Sequence, residues 1–318
     1  MGKRFHSVLI RPWRRDALVS APLACDSSAV RRDTTVSIGF LLASMISIQF
    51  GASVAKGLFP ALGPEGATAL RCGLAALMLL ALWRPWRLRL PASALLSVGL
   101  YGASLGLMNL LFYLSLARIP LGVAVALEFT GPLSVALLSS RRARDLLWVA
   151  LAAAGIVLIL PLTRSSRPLD PAGVGFALAA GVCWALYIVL GQRAGRAVQG
   201  GAATALGMLA AALVVAPIGV LRAGPRLLQP AVWPLALAVA VFSSALPYSL
   251  EMHALRRLPA RTFGILMSLE PALAALAGLV MLRERLTPAQ GAAIACIIAA
   301  SAGSASTASP ASPPPTVG

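Results

Sequence analysis

Glu128 sits in VAVALEFTGPLSVALLS (123–139), sixteen of whose seventeen residues carry no charge. Glu270 sits in LMSLEPALAALAG (266–278) and Arg71 in GATALRCGLAALMLL (66–80), each the only charged residue of its run. A charge at the centre of an apolar span costs about 2.5–3.5 kcal/mol on insertion scales, so it marks a partner, a binding site or a proton carrier. Two carboxyls and a guanidinium can hold the two ends of a zwitterion, and a carboxyl can also carry a proton. For Glu128 the alternative is an internal Arg or backbone partner and no further role.

The neighbours sharpen this reading. Ala124, Gly131 and Val135 share a helical face with Glu128, and Pro132 removes a backbone donor and loosens the turn that contains it. Glu270 directly precedes Pro271 and flanks a small-residue stripe, Gly264, Ser268, Pro271, Ala275 and Gly278, suited to close helix contact. Arg71 has three readings: a substrate carboxylate, a glutamate partner, or snorkelling to the nearby interface.

Gly99, Gly102, Gly106, Asn109 and Tyr113 fall on one helical face, which brings an amide into a glycine seam. Gln49, Ser53 and Lys56 form a polar stripe that runs to a segment end, where Lys56 reads as an interfacial anchor. Tyr248 and Glu251 end another apolar run, with Arg256 and Arg257 beyond as local ion-pair partners for Glu251. The candidate substrate- and proton-binding residues are therefore Glu128, Glu270, Arg71, Asn109, Gln49, Tyr113 and Tyr248.

Bond-making chemistry is not expected. GASLG (102–106) fits a nucleophile-elbow pattern, but such an elbow needs a strand-to-helix turn and a His base, and here the run is mid-helix. No phosphate-binding loop appears. Cys25, Cys72, Cys183 and Cys296 show no C-x-x-C spacing, and His6 and His253 are the only histidines. No cofactor or metal is expected, and the chain does not read as an enzyme.

The elements that must hold these groups follow from composition. The chain is 58% hydrophobic and 12% charged, with mean hydropathy +0.84. A soluble domain is about 45–50% apolar and about 25% charged, so the solvent here is a lipid bilayer. The net charge of +17 belongs to short gaps between apolar runs, where Lys and Arg set topology, rather than to a basic face for nucleic acid.

Ten apolar segments of spanning or near-spanning length cover roughly 37–55, 66–83, 92–116, 121–139, 146–162, 171–191, 201–221, 231–254, 263–281 and 288–306. Lipid cannot hydrogen-bond a backbone, so each is a helix. The short gaps make neighbours antiparallel hairpins. Counting Lys and Arg outside the segments gives 18 on the side of the N-terminus and 8 on the other, which puts both termini in the cytoplasm.

The halves resemble each other. GFLLAS at Gly39 matches GFALAA at Gly175, and ATAL at Ala67 recurs at Ala203, both 136 residues on. RIP at Arg118 matches RLP at Arg257, and Pro132 matches Pro271, both 139 residues on. Glu128 maps onto Met267, so the pseudo-symmetry breaks where the charge sits. Five helices per copy is odd, so the second copy enters the membrane inverted, as in secondary transporters with a site between the halves. The expected fold is an all-α membrane protein, ten transmembrane helices in a five-plus-five inverted repeat. Its parts are a basic disordered tail (1–36), a first repeat (37–162), a linker (163–170), a second repeat (171–306) and a disordered C-terminal tail (307–318).

SIQFGASVAKGLFP, GATALR, LEFTGPL, LPYSLEM and RTFGILMSLEPALAAL closely resemble EamA-type members of the drug/metabolite transporter superfamily, over about residues 37 to 305. The resemblance implies efflux of small neutral amino acids, of the threonine and homoserine type, across the bacterial inner membrane, driven by the proton-motive force. Alternating access with Glu128, or second Glu270, holding the proton is the expected mechanism. Glu128 would take a substrate ammonium and Arg71 or Asn109 its carboxylate. The expected partners are the amino acid, protons and the bilayer, and a homodimer is one arrangement the sequence allows. The alternative is a drug or other metabolite exporter of the same superfamily. One departure stands in LRERLT, where the wider family tends to have Gly at the position of Arg283.

Overall fold

A computed structural model describes residues 27–138, 145–159, 169–198, 201–255 and 266–307. The helices are α1 (Ser27–Ala55), α2 (Phe59–Trp83), α3 (Ala92–Leu116), α4 (Leu121–Glu128), α5 (Thr130–Leu138), α6 (Asp145–Ile159), α7 (Pro171–Ala197), α8 (Gly201–Ala223), α9 (Trp233–Ala240), α10 (Leu246–Leu255), α11 (Glu270–Met281) and α12 (Pro288–Thr307). No strand occurs among the described residues. The large apolar side chains left on the surface, such as Leu77, Leu82, Leu96, Leu213 and Leu221, are tolerable against hydrocarbon and not against water. The chain is an all-helical membrane protein.

Five helical stretches are long and apolar enough to cross a bilayer: Thr35–Trp83, Ala92–Leu116, Pro171–Ala197, Gly201–Leu228 and Pro230–Glu251. Shorter apolar helices cover Leu121–Val135, Glu270–Met281 and Pro288–Ala300. The ten expected segments are thus not ten clean rods. The first two join through a 3₁₀ turn at Lys56–Leu58, with a break at Gly63, whose φ is +69°. The fourth divides at Phe129, the eighth contains a π turn at Val241–Ala245, and the ninth is interrupted at Ser268–Leu269.

At its start α1 reaches back to Ser27, into the stretch expected to be a tail. Residues 1–26 and 308–318, Gly264, and Arg256 and Arg257 lie outside the described residues, as does most of the 163–170 linker.

Packing runs between the halves. α2 packs along α8, α3 along α7, α6 along α12, α1 along α10 and the π turn, and α4 along α11. Sequence neighbours, expected to pair as hairpins, touch each other less than they touch the opposite half. Small residues make this interleaving close. A Cβ on Gly106 would lie 2.8 Å from the carbonyl oxygen of Ala211, and one on Gly102 would overlap that of Gly207, so the glycine face of α3 rests on the backbone of α8. Gly99, expected on the same seam, has open space around it.

Contacts also fix the two ends. Glu284, just after α11, reaches both Lys56 and Leu121. Arg118 pairs with Asp170, and Arg222 with Glu65. Those contacts gather the connections after α1, α3, α8 and α11 and the start of α7 at one end. Leu90, Ala94, Val198 and Ala202 form a cluster at the other end.

Candidate functional site

Three prolines interrupt three helices. A helical N–H donates to the carbonyl four residues back, and proline has no N–H. Pro132 therefore leaves the carbonyl of Glu128 without its helical donor, and α4 ends at Glu128 before α5 begins at Thr130. Pro271 does the same to Met267, and α11 starts at Glu270. Pro247 frees the carbonyl of Ser243 inside the π turn. Gly181 of α7 lets a backbone approach the first break: a Cβ there would sit 2.7 Å from the carbonyl oxygen of Glu128.

All three interruptions face one cavity of about 80 Å³, several times the ~10–15 Å³ that one water needs. Gln49, Arg71, Asn109, Tyr113, Glu128, Tyr248 and Glu270, the residues singled out from the sequence, all line it. They come from α1, α2, α3, α4, α10 and α11, so both halves of the chain build its wall.

Arg71 is 3% exposed and points into this cavity, not out to the interface. Its Nη1 donates to Ser243 Oγ at 2.7 Å and to the freed Ser243 carbonyl at 3.2 Å, and its Nη2 donates to Asn109 Oδ1. The guanidinium lies 4.9 Å over the Tyr113 ring. Asn109 is itself fixed, its Nδ2 donating to Leu105 O at 2.8 Å. These partners are all neutral, and no ion pair between Arg71 and a glutamate occurs among the described residues. A desolvated cation held by neutral groups keeps an uncompensated net charge that attracts an anion.

Glu128 is 6% exposed and Glu270 5%. Glu270 Oε1 accepts from Gln49 Nε2 at 3.4 Å, while its Oε2 has no hydrogen bond among the described residues. Ser53 back-bonds to the Gln49 carbonyl at 2.8 Å. Lys56, at the end of that polar stripe, is not a free anchor: its Nζ pairs with Glu284. Ser104 of the GASLG run lies within α3, between two glycines packed on α8, which is no nucleophile elbow.

Among the cavity residues not singled out from the sequence, Trp184, Tyr187, Ser243 and Glu251 carry a nitrogen or oxygen in the side chain. Glu251 lines the cavity, and Arg256 and Arg257, its expected ion-pair partners, lie outside the described residues. Ser244, Tyr248 and Glu251 are spaced four and three apart, on one helical face, and that signal was present. For Ser243 the signal was its place four residues before Pro247.

The sequence profile of the EamA-like transporter family matches residues 171–306. The chain is 57% identical over 264 residues to the threonine/homoserine exporter RhtA of Escherichia coli (strain K12), covering 83% of this chain and 89% of that one. It is 56% identical over 261 residues to the protein of the same name from Salmonella typhimurium (strain LT2), covering 82% and 88%. A solved crystal structure superposes with a TM-score of 0.56 at 20% identity, over 87% of this chain and 97% of that one, a likeness of fold alone. A polar cavity walled by both halves suits the carriage of a small solute. With relatives this similar along most of its length, the chain belongs to the EamA-like transporter family.

Proposed function

We propose that this protein exports small neutral amino acids of the threonine and homoserine type, driven by the proton-motive force through alternating access. The observation that carries the reading is Arg71: a buried guanidinium whose partners among the described residues are all neutral shares a cavity with Glu128 and Glu270. A zwitterion supplies what that cavity lacks. Its carboxylate meets Arg71, oriented by Asn109 and Ser243, and its ammonium meets Glu128 or Glu270. A carboxyl that alternates between substrate ammonium and proton links the two fluxes.

The relatives' names support the substrate class. The helix pairing supports the five-plus-five inverted repeat. Exchanging the halves turns the α2–α8 pair into itself, and likewise the α4–α11 and α6–α12 pairs. It turns the α3–α7 pair into the pairing of α10 with α1. We place repeats at 37–162 and 171–306 and both termini in the cytoplasm, with the protein in the bacterial inner membrane.

Efflux of labelled homoserine and threonine from proteoliposomes tests the reading. Movement that requires an imposed pH gradient and stops with a protonophore is expected. Gradient-independent movement would remove the coupling. No movement through well-inserted protein would remove the amino-acid assignment, and a panel of hydrophobic drugs would then decide for the alternative.

A further inference from the structure

Glu284 lies three residues past the end of α11, outside the cavity, yet both of its carboxylate oxygens are engaged. Oε1 pairs with Lys56 Nζ, just beyond α1, and Oε2 accepts the Leu121 N–H at 2.8 Å, at the first residue of α4. The chain folds back to aim this carboxylate, with the Glu284 N–H donating to the Gly278 carbonyl at 3.0 Å. Gly278 leaves room for it, since a Cβ there would lie 2.6 Å from Glu284 Oε2. The pair is only partly exposed, 24% for Lys56 and 14% for Glu284.

The three elements joined here share a second meeting point. Lys56 follows α1, which carries Gln49. Leu121 begins α4, which ends at Glu128. Glu284 follows α11, which begins at Glu270. Gln49, Glu128 and Glu270 all line the cavity, and Gln49 donates to Glu270. α4 is buried over its whole length, and at ~1.5 Å per residue it is a rod of about 10 Å between Glu284 and the cavity. A displacement at one end of three such rods is a displacement at the other. The other two ion pairs at this end, Arg118–Asp170 at 3.4 Å and Arg222–Glu65 at 3.9 Å, tie the first half to the residue that caps α7 and to α8 but lie more open to solvent. Exposed pairs of that kind hold little.

We infer that Glu284 is a positioning residue that bolts this end of the molecule shut, and that the bolt opens when substrate passes by this end. Lys56 belongs to the first half of the chain and Glu284 to the second, so the bolt joins the two bodies whose relative movement transport requires. The inference rests on the transport reading above. In the orientation proposed there, this end faces away from the cytoplasm.

Two measurements test it. The first needs no transport. In a chain with Cys25, Cys72, Cys183 and Cys296 replaced by alanine, Met108→Cys places a thiol in the cavity wall. A membrane-impermeant thiol reagent is applied from the Glu284 side of sealed, oriented vesicles. Labelling is expected to be slow, and to rise about tenfold with Lys56→Gln or Glu284→Gln, because removing the bolt shifts the population toward the open state. The second is homoserine efflux in the native-cysteine background. Each single variant is expected to change the maximal rate about tenfold with substrate binding held within about threefold, and the double variant to add little to either.

Lys56→Gln leaves the Glu284–Leu121 bond in place and keeps the test alive if Glu284→Gln does not fold. Unchanged labelling from the Glu284 side in inserted Lys56→Gln and Glu284→Gln protein overturns the inference, whatever efflux does. Increased labelling with no efflux from the unaltered chain keeps the bolt and overturns the transport reading instead.

Discussion

Arg71 has no carboxylate partner among the described residues, and that fixes what each charged residue of the cavity is expected to do. Arg71→Lys replaces a fork held by Ser243 and Asn109 with a flexible point charge. It is expected to raise KM for homoserine about tenfold or more with less effect on the maximal rate, read from efflux against substrate concentration. Glu128→Gln keeps size and hydrogen bonding but cannot exchange a proton. It is expected to cut gradient-driven efflux about a hundredfold while insertion is unchanged, and normal efflux would remove Glu128 from the mechanism. At this scale much was legible, because a charge in an apolar run is conspicuous and lipid makes it expensive. Glu251 was not read into the cavity because Arg256 and Arg257 offered a nearer partner in sequence. Ser243 was missed because its importance lies in a carbonyl, freed by a proline a full turn away and taken up by a cation from another helix.

The helices are legible as apolar segments, but their interruptions decide the site. Pro132, Pro247 and Pro271 could be seen in the sequence, yet only packing tells what fills the gaps they leave. At the first break Gly181 is what lets α7 close on the Glu128 carbonyl. Gly181→Ala is expected to destabilise the protein by about 1–3 kcal/mol through overpacking, seen as a lowered Tm in detergent. A second element carries backbone strain. Arg283 has φ +54°, in the left-handed region that favours glycine. Arg283→Gly is expected to gain about 0.5–1 kcal/mol, the left-handed penalty less the added freedom of the unfolded chain, as a raised Tm. The same turn aims Glu284, so a lowered Tm would mean that the arginine makes a compensating contact.

In the whole molecule the halves are interleaved, and periodicity could not have foretold it. A glycine stripe says that a backbone comes close; it does not say which backbone. Matching motifs in the sequence suggest two bodies and short gaps suggest hairpins, but the main partner of most helices lies in the other half. A chain cut within 163–170 is therefore expected to yield two pieces that do not accumulate when made singly and that restore homoserine binding when made together. Stable, separately folded halves would contradict the packing. The same interleaving sets a timetable for biosynthesis. When residue 162 has left the ribosome, Arg71, Asn109 and Glu128 are already in the bilayer, and the helices that will cover them do not yet exist. At roughly 5–20 residues per second, translation of the remainder takes about 8–30 s. Through that interval the nascent first half lacks the helices that pack against it, and its cavity-lining polar groups have no wall from the second half.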